Sequence, residues 1–154
     1  MFSNEIVLKL LDYLDQNLYK RVTLEELSNH FHFNRDYLMR IFKREIGLTI
    51  IDYMNMMRIY FSLNSLKESS SILSISLRYG FTSQEYYSEM FHHIMGVSPS
   101  KYRDYLLFHR NITEKDIILI QNHFFTITQR IKRIEQYRLN TPPKKKVLQY
   151  SIFK

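Results

Sequence analysis

A chain of 154 residues has the length of one domain, or of one domain with a short appendage, and can bury a core. Hydrophobic residues make up 45% and charged residues 24%, with only 3 glycines and 3 prolines; this excludes disorder and collagen, leaves little material for turns, and predicts an all-α fold. Cysteine is absent, which excludes a disulfide framework, a thiolate nucleophile and any cysteine-ligated zinc or iron–sulfur site.

Formal net charge is +7, which suits a polyanionic partner, but the charge is unevenly placed. Residues 1–110 hold 13 Lys and Arg against 12 Asp and Glu, a net of +1; residues 111–154 hold 9 against 3, a net of +6. Nucleic-acid binding by the first 110 residues therefore depends on where individual charges point. The N-terminus carries Glu5 where a signal peptide would be basic, and no apolar run approaches the ~18 residues of a membrane span. A cytoplasmic protein without a membrane partner is expected.

Residues 4–18, apolar at Ile6, Leu10, Tyr13, Leu14 and Leu18, form a first, covering helix. From there the chain repeats itself at an offset of 49 residues. Leu24 falls on Leu73, Asn34 on Ser83, Tyr37 on Tyr86, Phe42 on Phe91, Gly47 on Gly96, Thr49 on Ser98 and Tyr53 on Tyr102. In the first copy Thr23 and Glu26 make a capping box at a helix start. The helix is short, and after His30, Phe31, His32 and Phe33 comes Asn34, an N-cap for a second helix that runs to Gly47. The second copy starts near Ser70 or Ser71, turns at Tyr79, Gly80 and Phe81, restarts at Ser83 and ends at Gly96. Each copy reads as helix, tight turn, helix.

In residues 34–46 the stripe Tyr37, Leu38, Ile41 and Phe42 faces inward, leaving Arg35, Asp36, Met39, Arg40 and Lys43 outward. In residues 83–95 the inward set is Tyr87, Met90, Phe91 and Ile94, and the outward set is Gln84, Glu85, Ser88, Glu89 and His92. A paired helix of this kind lies in a major groove with its first turns toward base edges. Between the copies, Thr49 with Asp52 opens a linker helix over residues 50–66 with apolar residues on nearly every side, hence buried. At ~1.5 Å per residue it is roughly 25 Å long, comparable with the ~34 Å between successive major-groove faces on one side of a duplex. Ser98 and Pro99 start a seventh helix to about residue 108.

These residues carry a likeness: the chain resembles the DNA-binding domain of the AraC/XylS family of bacterial transcription regulators over residues 4–108. The run ILSISLRYGF at 72–81, with Tyr86, Tyr87, Phe91, Gly96, Ser98, Pro99, Tyr102 and Arg103, is the most specific part. Leu24, Leu27, Tyr37, Leu38, Arg40, Phe42, Lys43, Gly47, Tyr53, Arg58 and Ile59 fit the first unit. The resemblance implies seven helices, with helix-turn-helix units at about 23–47 and 71–96. It also implies two recognition helices in adjacent major grooves, and promoter control, most often through RNA polymerase, with an activator as the usual sense. Carried over by position, the base-facing candidates are Arg35, Asp36, Met39 and Arg40, then Gln84, Glu85, Ser88 and Glu89. Arg40 suits guanine and Gln84 adenine. The chain departs from the family in having Glu89 and His92 where a basic residue is common, and Ser28, Ser62 and Ser76 where alanine is usual. Each of those hydroxyls is expected to bond back into its own helix.

After residue 110 the likeness ends. Thr113 with Asp116 caps a helix to about residue 139, apolar at Ile117, Ile120, Phe124, Ile127, Ile131 and Ile134. Pro142 and Pro143 break it; Lys144, Lys145 and Lys146 read as a solvated linker, and residues 147–153 as a strand that either pairs with another subunit or belongs to a fragment whose next domain is missing. The region 111–154 is thus a helical extension with a basic tail, the candidate for oligomerisation. A sensing or dimerising partner domain is not evident in 154 residues, so monomeric binding to an asymmetric site is the default expectation.

No glycine-rich phosphate loop or nucleophile elbow is present, and Ser69, Ser70 and Ser71 read as a loop and cap, so neither an enzyme nor a cofactor is expected. His30/His32 and His92/His93 lack the spacing that places two ligands on one helical face, so no metal site is expected. The weak charge of residues 1–110 leaves one competing reading, an all-helical interaction module or antagonist that kept the fold and binds DNA weakly.

Overall fold

The computed structural model describes residues 2–141, which contain eight α-helices, one 3-10 turn and no strand. The chain divides into two compact units. In the described residues the first comprises 2–16, 22–50 and 130–141, and the second Asn17–Arg21 and Ile51–Gln129. The tail readings at 144–146 and 147–153 lie outside the described residues.

In the first unit, α1 (Ser3–Gln16) buries Ile6, Val7, Leu8, Leu10, Leu11 and Leu14. It packs against α3 (Arg35–Ile46), which supplies Leu38, Ile41 and Phe42, and α2 (Leu24–Phe31) adds Leu27 to that core. Thr23 caps α2 by accepting from the Glu26 amide at 3.1 Å. The Glu26 carboxylate is taken by the Tyr13 hydroxyl, whose pKa is raised by partial desolvation and by that neighbour. The end of α8 (Glu114–Asn140) completes the unit: Ile134 is buried, and the Arg138 guanidinium reaches Asp12 at 3.0 Å and Asp15 at 2.6 Å, two carboxylates one turn apart on α1.

Leu18, expected on the first helix, lies beyond its end, in the segment Asn17–Arg21 that folds with the second unit. There Arg58 on α4 (Ile50–Ser62) donates through Nε to the Leu18 carbonyl at 2.6 Å and through Nη2 to the Lys20 carbonyl at 2.8 Å. Two charge-assisted bonds of this kind outweigh the helical preference of a few residues.

The linker helix is shorter than its pattern predicts. After Ser62 it tightens into the 3-10 turn Leu63–Lys67. Ser62 Oγ donates to the Ile59 carbonyl at 2.8 Å and meets the Tyr87 hydroxyl at 2.9 Å, and Ser65 Oγ meets the Tyr79 hydroxyl at 2.6 Å. Nor is it buried all round: Tyr53, Met54, Asn55, Met56 and Ile59 are buried, but Ile51 and Phe61 face solvent. Around it lie α5 (Ile72–Arg78), α6 (Gln84–Met95), α7 (Pro99–Leu106) and the first part of α8, which starts at the expected capping box. Thr113 Oγ1 accepts from the Asp116 amide at 3.2 Å, and the Asp116 carboxylate accepts from the Thr113 amide at 3.0 Å. Of the apolar stripe expected on α8, Ile120, Ile127 and Ile134 are buried, while Phe124 is partly exposed.

The structure also corrects the repeat register. The first helices begin after Thr23 and Ser71, and the left-handed turn residues are His32 (φ 58°) and Gly80 (φ 88°), both pairs at an offset of 48. From Asn34 and Ser83 onward the offset is 49, so the second turn holds one extra residue. The pairing of Leu24 with Leu73 is therefore coincidental: Leu73 is exposed, and the buried equivalents are Leu27 and Ile75. Ser62 and Ser76 bond back into their own helices, but Ser28 Oγ donates to the Phe33 carbonyl at 2.6 Å, across the turn.

Candidate nucleic-acid interface

Each unit presents the second helix of one pair. On α3, Asn34 caps the N-terminus by accepting from the Asp36 amide at 2.8 Å, and the chain leaves at Gly47. On α6, Ser83 accepts from the Tyr86 amide at 3.1 Å, and the chain leaves at Gly96. The caps hold the first turns of both helices without using their outer side chains.

Arg35, Asp36, Met39, Arg40 and Lys43 are all exposed on α3, with Leu38, Ile41 and Phe42 on the opposite side and Tyr37 half-buried between. On α6, Gln84, Glu85, Glu89 and His92 are exposed, and Ser88 is half-buried. The inward set of α6 includes Met95, which the sequence pattern missed; Met90 and Ile94 are only half-buried. Ion pairs among the described residues fall elsewhere, on Arg44–Glu45, Arg78–Glu68, Lys101–Asp116, His109–Asp104 when the imidazole is protonated, and Arg138 with Asp12 and Asp15. The Arg40 guanidinium lies 5.6 Å from the Tyr37 ring centroid, a cation–π contact that limits its sweep.

The two faces differ in charge. The α3 face carries three cations and one carboxylate, the α6 face two carboxylates and a histidine. Facing a duplex with one negative charge per ~1.7 Å of axis, the first is attractive and the second is not. No group of three or more potential metal ligands occurs among the described residues. His30 packs against Tyr13 and Phe31, with ring centroids 4.5 Å and 4.8 Å away.

The α6 helix is held by two tyrosine hydroxyl contacts, and two arginines tie down other segments; sequence pattern did not single out any of the four for this role. Asn55, itself buried, donates to the Tyr86 hydroxyl at 2.8 Å. Tyr87 is fully buried against Ser62, and desolvation pushes its hydroxyl up to about 12. Arg103 donates through Nε to the Leu66 carbonyl at 2.9 Å and through Nη2 to the Ser70 carbonyl. It thus ties down the segment leading into α5, just as Arg58 ties down the one preceding α2. The repeat conceals this parallel, because the two arginines are 45 residues apart instead of 49.

Comparison with known proteins agrees with this geometry. The model of the helix-turn-helix domain family, of the AraC type, matches residues 27–105, just over half of the chain. The transcriptional activator AarP of Providencia stuartii is 28% identical over 103 residues, covering 66% of this chain and 76% of AarP. The transcriptional regulatory protein HptR of Staphylococcus aureus is 32% identical over 101 residues; they cover 66% of this chain and only 40% of HptR, so the chain spans well under half of that relative. Among solved structures, the C-terminal domain of AraT, a response regulator of Geobacillus stearothermophilus, superposes with a TM-score of 0.61 at 30% identity, covering 71% of this chain and 88% of that one. No helix among the described residues is long and apolar enough to cross a membrane. With two capped helix-turn-helix units and these relatives, the chain belongs to the AraC-type helix-turn-helix family of DNA-binding transcription regulators, a family of regulators and not of enzymes.

Proposed function

We propose that residues 4–108 bind one asymmetric promoter site by placing α3 and α6 in adjacent major grooves, with the first unit supplying most of the affinity. The observation that carries this reading is the outward display of Arg35, Asp36, Met39, Arg40 and Lys43 on a capped helix whose opposite face is core. Arg40 reads a guanine, Gln84 an adenine, Arg35 faces the bases beside Arg40, and Lys43 neutralises a phosphate. Glu85, Ser88, Glu89 and His92 tune the second half-site, where the carboxylates reject misplaced phosphates more than they add affinity. The regulator acts in the cytoplasm, as an activator contacting RNA polymerase, and residues 111–154 form an extension through which copies associate.

The carboxylates on α6 favour one competing reading, an interaction module or antagonist that keeps the fold and binds DNA weakly. Selection of sites from a random duplex pool, with Arg40→Ala and Gln84→Ala alongside, separates the two. A regulator enriches a bipartite site, and each variant relaxes preference in its own half-site, losing about 1–3 kcal/mol of discrimination. Failure to enrich any site at low salt supports the module, and unchanged preference in both variants removes Arg40 and Gln84 from the reading face.

A further inference from the structure

In the turn after α7, Phe108 occupies the left-handed region with φ 58° and is 93% exposed. The turn is a Schellman-type helix end: the Phe108 amide returns to the Tyr105 carbonyl at 3.3 Å and the His109 amide to the Asp104 carbonyl at 2.9 Å. Glycine is the favoured residue there, and a bulky side chain is strained by roughly 1–2 kcal/mol. The ring recovers nothing by burial, so a strained, water-facing aromatic calls for a binding role.

Beside it lies an open cleft of about 530 Å³, within the range of small-molecule sites. Tyr105, Ile112 and Ile117 form apolar walls, Phe108 a lip, and Lys67 and His109 the polar rim. No carboxylate is among the lining residues, and the carboxylates near the rim have partners. Asp104 accepts from Asn111 Nδ2 at 2.8 Å and lies 3.8 Å from His109 Nδ1, and Glu68 is paired with Arg78 at 3.0 Å. Lys67 is exposed and supplies a positive charge to the cleft. Leu106, Phe108, His109, Ile112 and Ile117 all follow residue 105, where the family match stops, so most of the cleft lies outside the matched segment.

We infer that this cleft binds an apolar organic anion, a carboxylate with an aliphatic or aromatic body, whose body lies against Ile112, Ile117 and Phe108 and whose charged group meets Lys67. The lip residue stays exposed until the ligand covers it, which accounts for both its strain and its position.

The test uses the full chain with 1-anilinonaphthalene-8-sulfonate as a fluorescent anionic probe, displaced by decanoate and, in parallel, by uncharged decanol. Saturable binding at one probe per chain is expected. Phe108→Gly relieves the strained backbone, so its melting temperature rises by a few degrees while decanoate binding weakens about tenfold. A purely structural phenylalanine would not couple higher stability to lost binding. Lys67→Gln weakens decanoate and leaves decanol unchanged, and Phe125→Ser, elsewhere on α8, alters neither. Non-saturating probe binding, unchanged affinity in Phe108→Gly, or equal effects of Lys67→Gln on acid and alcohol would overturn the assignment.

Discussion

Replacing Gly80 with alanine probes the close approach that holds the second helix pair. A Cβ at Gly80 falls 2.8 Å from Tyr19 Cα and 2.9 Å from both the carbonyl carbon and oxygen of Tyr19. These are backbone atoms, and they cannot swing aside. Arg58 holds the flanking Leu18 and Lys20 carbonyls, and the Tyr19 ring meets Tyr79 edge-on at 5.3 Å. The φ of 88° adds a second penalty of ~1 kcal/mol for a non-glycine residue, reduced by about 0.5 kcal/mol because alanine restricts the unfolded chain. Overpacking against a fixed backbone costs a further ~1–3 kcal/mol. The control is Gly47→Ala, where φ is 85° but nothing lies within 4 Å, so only the conformational part remains. Urea titrations should lower the midpoint by about 1 M for Gly80→Ala and by under about 0.5 M for Gly47→Ala, with slopes unchanged. Equal shifts would show that the Tyr19 segment does not press on the turn, and the packing argument for the second unit would fail.

Arg138→Ala removes both bonds to Asp12 and Asp15; since all three groups are partly exposed, a loss of about 1 kcal/mol is expected, shrinking as salt is raised in urea melts. At high pH, Tyr87 gives the sign of an alkaline transition. Its folded pKa of about 12 exceeds the unfolded value of 10.0, so its stabilisation is complete below pH 10 and is lost as pH rises toward 12. Burial pushes Tyr137 up to about 12 as well, so tyrosinate absorbance should show a late-titrating component tied to unfolding that Tyr87→Phe reduces without abolishing. Lys43→Gln should weaken DNA binding about equally on all sequences and reduce the slope of log affinity against log salt by about 1, whereas Glu89→Gln should strengthen it. A Lys43→Gln variant with the wild-type slope would place Lys43 away from phosphate.

The helices, their caps and the outward positions on α3 and α6 were legible because each rests on neighbours a few residues apart. Thr23, Asn34, Ser83, Ser98 and Thr113 cap from within their own turns, and 3.6-residue periodicity separates Leu38, Ile41 and Phe42 from Arg35, Arg40 and Lys43. Contacts over 30 or 40 residues leave no such local trace. The assignment of Leu18 to the second unit, the 3-10 end of the linker helix and the one-residue slip between the copies depend on Arg58, on Ser62 with Tyr87, and on the extra residue in the second turn. Burial on the linker helix was overestimated for the same reason, since composition cannot say which side of Ile51 or Phe61 lacks a partner. The sequence by itself determined what each short segment becomes, because capping and periodicity are local. Tertiary structure alone decided which carbonyls the two arginines hold and where Phe108 points, because those depend on atoms the chain brings together only when folded.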